Sequence, residues 1–274
     1  MANDTKQKVR EFYDEIGWHQ EDDGLYQNAR YEDLRPVSRE YIHRTRLRVL
    51  NGLLPAGRFL LDAGSGPVQY EEYRTYSQGY QKRVCLDISV QALRQARERI
   101  GDHGLFVVGD LANLPFKTES FDGAVSMHAV HHLALSEHPR AYAEIHRVLA
   151  SGRTAAIVNG WHEPLLSRMA EPLIGLMRRL SGRSAKRKKE WQNEQDPAGT
   201  FVEKMTPEWL KREVGTKMTI EIKPWRSIST RLLRWFVRPF GGRLFLRVVF
   251  WLEDLFPRFF AENGQYPLIV VRKP

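Results

Sequence analysis

The sequence contains a single cysteine, Cys85, among 274 residues. One thiol excludes a disulfide within the chain and any zinc site built from several cysteines. Cys85 lies inside an apolar strand pattern, which favours a packing role over nucleophilic chemistry. No cluster of His, Cys or Asp shows metal-ligand spacing, so we predict that no metal is bound.

Long apolar runs are also missing. No uninterrupted stretch is long enough to cross a bilayer, and the polar start Met-Ala-Asn-Asp-Thr-Lys-Gln does not resemble a secretory signal. We therefore expect a cytoplasmic protein, with peripheral membrane contact left open. The tripeptide Gly-Lys-Ser/Thr is absent, which argues against a phosphate-binding loop.

Acidic residues are too few to balance the basic ones, and the formal net charge is +9. Such a charge suggests a nucleic acid or an anionic membrane surface as partner. One basic cluster lies within residues 178–189. The other is spread along residues 226–258 among bulky apolar side chains, a composition expected of an interfacial membrane element.

The most informative motif is the segment 60–67, which reads Leu-Leu-Asp-Ala-Gly-Ser-Gly-Pro. An apolar run ends in Asp62 and then breaks at Gly64 and Gly66, as a buried parallel strand does where it turns towards a ligand. An ordinary strand-to-helix loop would read similarly. The full Gly-x-Gly-x-x-Gly fingerprint of dinucleotide sites is absent, because residue 69 is Gln.

Further strand-helix units follow this turn. Apolar runs end at Asp87, at Asp110 and before His128, and a helical pattern over 141–149 leads to a fifth strand at 154–159. Ser89 is a plausible N-cap for the helix after the second strand. Alternating strands and helices predict an α/β sheet with helices on both faces.

Taken in order, these segments resemble the class I S-adenosyl-L-methionine (SAM)-dependent methyltransferases, over residues 45–160. Within that class the pattern is similar to the small-molecule branch of ubiquinone/menaquinone methyltransferases (methyltransferase type 11). That family commonly reads acid-x-Gly-x-Gly-x-Gly, whereas the third glycine position here is Val68. The resemblance implies a Rossmann-like, seven-stranded, mostly parallel sheet and SAM as the cofactor.

The resemblance also implies roles for individual residues. Asp87 is expected to bind the ribose, and Asp110 with the backbone of Leu111 is expected to face the adenine. The implied cofactor-binding residues are Asp62, Ala63, Gly64, Ser65, Gly66, Asp87, Ile88, Asp110, Leu111, Met127 and His128.

Candidate catalytic residues come from two places. His128, His131 and His132 follow the fourth strand, where the reactive sulfonium is expected, and histidine has the pKa range of a general base. They could equally well only shape the pocket. Tyr13, in an N-terminal helix like those that close over the cofactor in this family, is the fourth candidate; Tyr26 and Tyr31 are further ones.

The chain divides into four predicted segments. These are an N-terminal helical cap (1–44), the SAM-binding core (45–160), a lid or substrate region (161–216), and the last two strands with a basic-aromatic helical insertion at 226–262 (217–274). Thr206 and Pro207 predict the start of a helix in the third segment. Seven residues there could line an acceptor pocket or pack in the core: Trp161, His162, Met169, Leu173, Ile174, Leu176 and Met177.

Three interpretations of the insertion stay open: a lid or dimer interface, a membrane element through residues 226–258, or a nucleic-acid surface. We predict methyl transfer to a hydrophobic or lipid-linked small molecule, with oxygen slightly preferred over carbon or nitrogen. The alternatives are an RNA methyltransferase and a non-catalytic SAM-binding scaffold or membrane-associated regulator. Nucleic acid is disfavoured, because the chain lacks Asn/Asp-Pro-Pro-Tyr/Phe and the cysteine motif of cytosine C5 methylation.

Overall fold

The computed structural model describes residues 2–19, 26, 32–180 and 200–274, so most of the basic cluster at 178–189 lies outside the described residues. The described residues form one seven-stranded sheet. Its strands are β1 (Gly57–Ala63), β2 (Tyr80–Asp87), β3 (Gly104–Val108), β4 (Gly123–Met127), β5 (Thr154–Val158), β6 (Thr219–Arg226) and β7 (Tyr266–Arg272). Each of the first five coincides with an apolar run of the sequence.

The strands lie side by side in the order β3-β2-β1-β4-β5-β7-β6. Strands β1 to β5 are parallel, and β7 is antiparallel to both β5 and β6. The chain order reverses between β1 and β4, and open α/β sheets bind ligands at the carboxyl ends of strands beside such a reversal. The predicted Rossmann-like, mostly parallel sheet is confirmed.

Helices cover both faces of this sheet. They are α1 (Ala2–Phe12), α2 (Arg39–Leu47), α3 (Glu71–Thr75), α4 (Val90–Ile100), α5 (His138–Val148), α6 (Leu165–Leu180), α7 (Pro207–Glu213), α8 (Thr230–Phe236), α9 (Gly242–Leu255) and α10 (Pro257–Asn263). The two predicted caps are confirmed: Ser89 Oγ accepts from the amide of Ala92 at 3.1 Å, and Thr206 Oγ1 accepts from that of Trp209 at 3.2 Å.

The core has two layers because successive side chains of a strand point to opposite faces. Leu61 packs in the layer covered by α5 and α7, and its neighbour Leu60 packs in the layer covered by α3 and α4. Cys85 is fully buried in the second layer. Burial raises the pKa of its thiol to about 12, which fits the predicted packing role.

The segment between β6 and β7 holds α8, α9 and α10. Strand β6 ends at Arg226, which pairs with Tyr266 at the start of β7. Since β7 is antiparallel to β5, both ends of this segment lie at the edge where the parallel strands terminate. The basic-aromatic insertion therefore begins and ends beside the edge at which a ligand is expected.

The inner face of the insertion is fixed to the rest of the fold. Apolar side chains of α8 and α9 pack against α2. The buried carboxylate of Glu253 accepts hydrogen bonds from Tyr41 Oη at 2.6 Å and from the amide of Ser227 at 2.9 Å, and it pairs with Arg48. Arg48 also pairs with Asp254 at 2.6 Å. These contacts tie α9 to α2, to β6 and to the turn after α2.

Candidate active site

The glycine turn after β1 has the backbone that close ligand approach requires. Gly64 and Gly66 have φ of +75° and +53°, values that favour glycine. A Cβ added at Gly64 would lie 2.2 Å from the Cβ of Ala129, and one at Gly66 would lie 3.0 Å from the ring of Trp18. Side chains at these two positions would therefore clash with Ala129 and Trp18, which pack against the turn.

The third position of the motif, Val68, also has a positive φ of +52°. A β-branched residue with this φ is a backbone outlier, at a cost of about 1–2 kcal/mol. Its side chain is fully buried beside Tyr73 and Leu93. Val68 therefore differs from the glycine of the family pattern in its side chain, but its backbone keeps the left-handed conformation that a glycine there would adopt.

A cavity of about 920 Å³ opens at this edge of the sheet. Its volume is at the upper end of the range for ligand pockets. Of the predicted cofactor-binding residues, nine line it: Gly64, Ser65, Gly66, Asp87, Ile88, Asp110, Leu111, Met127 and His128. All four predicted catalytic residues line it as well: Tyr13, His128, His131 and His132.

Asp87 ends β2 and is the buried carboxylate of the turn. It accepts from the amides of Gly66 at 2.8 Å and Ser89 at 2.9 Å. Burial raises the pKa of Asp87 to about 6, although these two hydrogen bonds oppose the shift. Its remaining acceptor capacity, beside the glycines, suits a donor such as a ribose hydroxyl.

Two predicted residues, Asp62 and Ala63, are not among those that line the cavity. Asp62 is buried in β1 and forms an ion pair with Arg83 of β2, whose Nε donates at 3.0 Å. Ala63 is fully buried. The carboxylate at the end of β1 therefore compensates a buried guanidinium, a pairing that the strand pattern of the sequence did not reveal.

Asp110, at the predicted adenine end, contacts the N-terminal helix. Lys6 of α1 donates to its Oδ2 at 2.8 Å and also pairs with Glu137. The other oxygen, Oδ1, accepts from the amide of Ala112 at 2.9 Å. Residues Lys6, Val9, Phe12, Tyr13 and Trp18 form one wall of the cavity. The N-terminal segment thus covers this end, as expected from the sequence.

The three histidines are neutral at neutral pH. Burial lowers the pKa of His128 to about 3 and that of His132 to about 4, and it lowers the pKa of His131 well below its ordinary value. Neighbouring positive charge, chiefly Arg226, lowers the pKa of His128 further. Each ring therefore keeps one nitrogen lone pair available at pH 7.

Tyr13 and His132 form a direct hydrogen bond, with Tyr13 Oη 2.7 Å from His132 Nε2. The other ring nitrogen, Nδ1, lies 2.8 Å from the carbonyl oxygen of Phe201. Because a carbonyl can only accept, Nδ1 carries the proton and Nε2 accepts from the tyrosine hydroxyl. The pair is a hydrogen-bonded chain that can take up a proton at Nε2.

Sequence reasoning missed an aromatic and charged wall of the cavity beside His128, which we call the acceptor end. The rings of His128, Trp225 and Tyr266 contact one another edge to face, with centroids 5.2–5.8 Å apart. The guanidinium of Arg226 lies 4.8 Å from the ring centroid of Tyr266 and pairs with Glu32. These residues are far apart in the chain, and no local motif marks them.

The other sequence candidates lie elsewhere. Tyr26 is buried against Trp18 and does not line the cavity, and Tyr31 lies outside the described residues. Of the seven residues expected either to line a pocket or to pack in the core, Trp161 and His162 line the cavity. Three others do neither, because they are exposed on α6: Met169, Leu173 and Leu176. Ile174 is buried away from the cavity, and the side chain of Met177 is not described.

Comparison with known proteins agrees with this geometry. Residues 61–157 match the family model Methyltransf_11, a methyltransferase domain. This range spans β1 to β5 and includes the glycine turn, Asp87, Asp110 and the three histidines. No curated protein matches the chain.

Solved structures of the same fold cover nearly the whole chain. One is from the Haloferax volcanii complex of the Trm112 methyltransferase activator with a methyltransferase, with TM-score 0.55, 19% identity, and coverage of 87% of this chain and 92% of that one. The [4+2]-cyclase SpnF has TM-score 0.55 and 20% identity over 98% and 97%. A geranyl diphosphate methyltransferase with GPP and sinefungin has TM-score 0.55 and 16% identity over 99% and 100%.

Proposed function

We propose that the protein is a class I SAM-dependent methyltransferase that transfers the methyl group of SAM to a hydrophobic or lipid-linked small molecule, with oxygen slightly preferred over carbon or nitrogen. The match of residues 61–157 to a methyltransferase-domain model supports this proposal. The main support is that one cavity is lined both by the glycine turn with Asp87 and by the hydrogen-bonded Tyr13–His132 pair. The ubiquinone/menaquinone branch of the family remains an expectation from the sequence alone.

The cofactor end of the cavity fits SAM in shape and chemistry. Gly64 and Gly66 line the cavity without side chains, so a ligand can approach their backbone closely. Asp87 would accept from the ribose hydroxyls, and Asp110 with the backbone of Leu111 would hold the adenine. Bound SAM supplies an electrophilic methyl group on its sulfonium, and the protein has to position the acceptor in line with it.

The acceptor end, beside Trp225 and Tyr266, suits an apolar acceptor. Tyr70, Tyr73 and Trp161 add further aromatic surface to the cavity lining. Aromatic side chains offer large apolar surfaces with a few polar tips that can orient a ligand. A structure of the same fold that acts on geranyl diphosphate supports the view that this architecture can accommodate a prenyl-sized substrate.

An oxygen acceptor must lose its proton on methylation, and we assign that proton to His132 Nε2. Burial keeps this nitrogen unprotonated at neutral pH, and Tyr13, hydrogen-bonded to it, can connect it to the acceptor hydroxyl. The Phe201 carbonyl fixes the tautomer and would stabilise the imidazolium. General-base catalysis contributes about 10²–10⁴-fold in rate, most when the pKa of the base lies near the working pH, so the low pKa of His132 places its contribution at the lower end of this range.

Isothermal titration with SAM and S-adenosylhomocysteine tests the cofactor assignment. We expect micromolar affinity in the wild type and at least tenfold weaker binding in Asp87→Ala. Asp102→Asn, a change at an exposed carboxylate away from the cavity, is the control and should bind normally. Absence of binding by the wild type contradicts the proposal.

Turnover is tested with lipid-soluble phenols, quinones and glycolipids, by following S-adenosylhomocysteine. His132→Gln should lower kcat by about 10²-fold or more while leaving the SAM Kd within twofold. His146→Gln, on α5 outside the cavity, is the matched control. Tight SAM binding without turnover of any acceptor would favour the scaffold alternative, and turnover of RNA alone would favour the RNA alternative.

A further inference from the structure

Helix α9 is apolar on two sides. Its inner side, with Leu246, Val249 and Phe250, packs against α2. Its outer side exposes a stripe at four- and three-residue steps, formed by Leu244, Val248, Trp251 and Leu255. Leu244 and Trp251 are 68% and 59% exposed. This outer stripe has no role in the fold as described.

Helix α6 carries a second such stripe. Its exposed members are Leu165, Met169, Leu173 and Leu176, again one helical face. Within the described residues the loop before α9 and the turn and helix after it add Phe240, Phe256 and Phe259, all exposed. A stripe of exposed apolar side chains along one face of a helix, present on both α6 and α9, indicates an interaction site.

The charges around these stripes favour an anionic surface as partner. Arg238, Arg243 and Arg258 are exposed, and in the described part of the chain no carboxylate lies within salt-bridge distance of them. The acids of the insertion are already engaged: Glu253 and Asp254 pair with Arg48, and Glu262 pairs with Lys211. The outer surface is therefore apolar with a basic rim.

Helices α6 and α8 border the cavity. Ser167 and Glu171 of α6 line it, and so do Thr230 and Arg231 of α8. Glu171 and Arg231 form an ion pair that joins α6 to α8 across this part of the wall. The cavity is thus bordered by the same helices that carry, or lead into, the exposed apolar surface.

We infer that α6 and α8–α10 dock on an anionic phospholipid surface, so that the acceptor end of the cavity faces the lipid and an apolar acceptor enters it between α6 and α8. The inference rests on the proposed function for the identity of the acceptor. Aromatic and aliphatic residues on one face with arginines around them are the composition of interfacial helices.

The protein would lie on the membrane and not cross it. Within the described ranges no helix is long and apolar enough to span a bilayer, and α6 and α9 have 16 and 14 residues. Anchoring of α9 through Glu253 and Arg48 would hold the docking face in a fixed orientation relative to the cavity.

Vesicle sedimentation tests the docking. We expect at least tenfold tighter binding to vesicles of 70% phosphatidylcholine and 30% phosphatidylglycerol than to phosphatidylcholine alone. The double variant Leu244→Glu/Trp251→Glu and the triple variant Arg238→Glu/Arg243→Glu/Arg258→Glu should each lose tenfold or more. Leu105→Glu, an exposed apolar residue on edge strand β3, is the matched control.

Spin labels test the orientation, and the buried Cys85 leaves introduced cysteines as the reactive thiols. Labels at Met169→Cys and Trp251→Cys should become more accessible to oxygen and less accessible to a water-soluble nickel chelate on anionic vesicles. A label at Leu105→Cys should not change. If only the Trp251→Cys label responds, α6 and the cavity mouth do not face the lipid, and the inferred route for the acceptor is overturned.

Three results overturn the docking itself. They are equal binding to both vesicle types, undiminished binding by the two sets of glutamate variants, or a solution dimer that Leu244→Glu/Trp251→Glu dissociates. The SAM titration on the same samples separates the two proposals. Normal SAM affinity without vesicle binding contradicts the docking alone, whereas vesicle binding without SAM affinity contradicts the proposed function.

Discussion

Protonation of Asp87 should control SAM binding between pH 5 and pH 7. Burial raises the pKa of Asp87 to about 6 in the ligand-free protein. A ribose hydroxyl that donates to this side chain requires the ionised carboxylate, because the protonated acid has given up part of its acceptor capacity. Lowering the pH to 5 therefore removes the binding-competent form without any change in sequence.

The magnitude follows from the pKa. With a pKa near 6, roughly nine tenths of the carboxyl is ionised at pH 7 and roughly one tenth at pH 5, so the Kd for SAM should rise about tenfold. The effect on the apo fold has the opposite sign. The pKa of Asp87 is higher in the folded protein than in the unfolded chain. Its contribution to the free energy of unfolding is therefore largest below about pH 4, and it falls by about 3 kcal/mol as the pH rises through 6.

Calorimetric titration at pH 5, 6 and 7 measures the first effect. Asp87→Asn should bind weakly and with little pH dependence, whereas Asp102→Asn should follow the wild type. Circular dichroism at each pH checks that the protein remains folded. A wild-type Kd that stays within twofold from pH 7 to pH 5, or an equal pH dependence in Asp87→Asn, would refute the role assigned to this carboxylate.

Three further predictions concern stability, measured by urea denaturation. Asp62→Asn should lower the free energy of unfolding by about 3–5 kcal/mol, because it leaves the buried Arg83 without its charge partner. The SAM Kd of the folded variant should change less than twofold. A much larger change in Kd would show that Asp62 also contacts the cofactor. Gly64→Ala should cost about 2–4 kcal/mol, because its Cβ would meet that of Ala129 at 2.2 Å in a left-handed backbone; an unchanged midpoint would contradict the tight packing of the turn against Ala129. Glu253→Gln should lower the free energy of unfolding by about 3 kcal/mol. The control Glu262→Gln, at a partly exposed carboxylate, should change it by no more than about 0.5 kcal/mol. Equal effects would mean that the buried network does not anchor α9.

The sheet could be predicted because its signals are local. Each parallel strand is a short apolar run that ends at or just before a polar residue or a glycine, and the chain order of these runs matches a known fold. The alternating segment Met218-Thr219-Ile220-Glu221-Ile222 predicts a sixth strand, and β6 continues beyond it through Pro224 to Arg226. Proline is tolerated there because β6 is an edge strand, where a missing amide costs no ladder hydrogen bond.

The candidate site was predictable where its residues stand at strand ends, and at Tyr13 through the resemblance to a known family. Asp87 and Asp110 follow directly from that rule. The Lys6–Asp110 pair and the Glu32–Arg226 pair each join residues more than 100 positions apart. A single sequence contains no signal for such partners, because charge compensation across a fold depends on packing that local periodicity does not encode.

Strand β7 has a consequence for how the protein is made. It is the last strand in chain order, yet it fills the gap between β5 and β6. Until residues 266–272 leave the ribosome, the wholly buried strand β5 has an unpaired edge, and β6 has no partner in the sheet. Open apolar edges favour association between incomplete chains, so we expect the nascent protein to need protection by a chaperone until its final strand inserts.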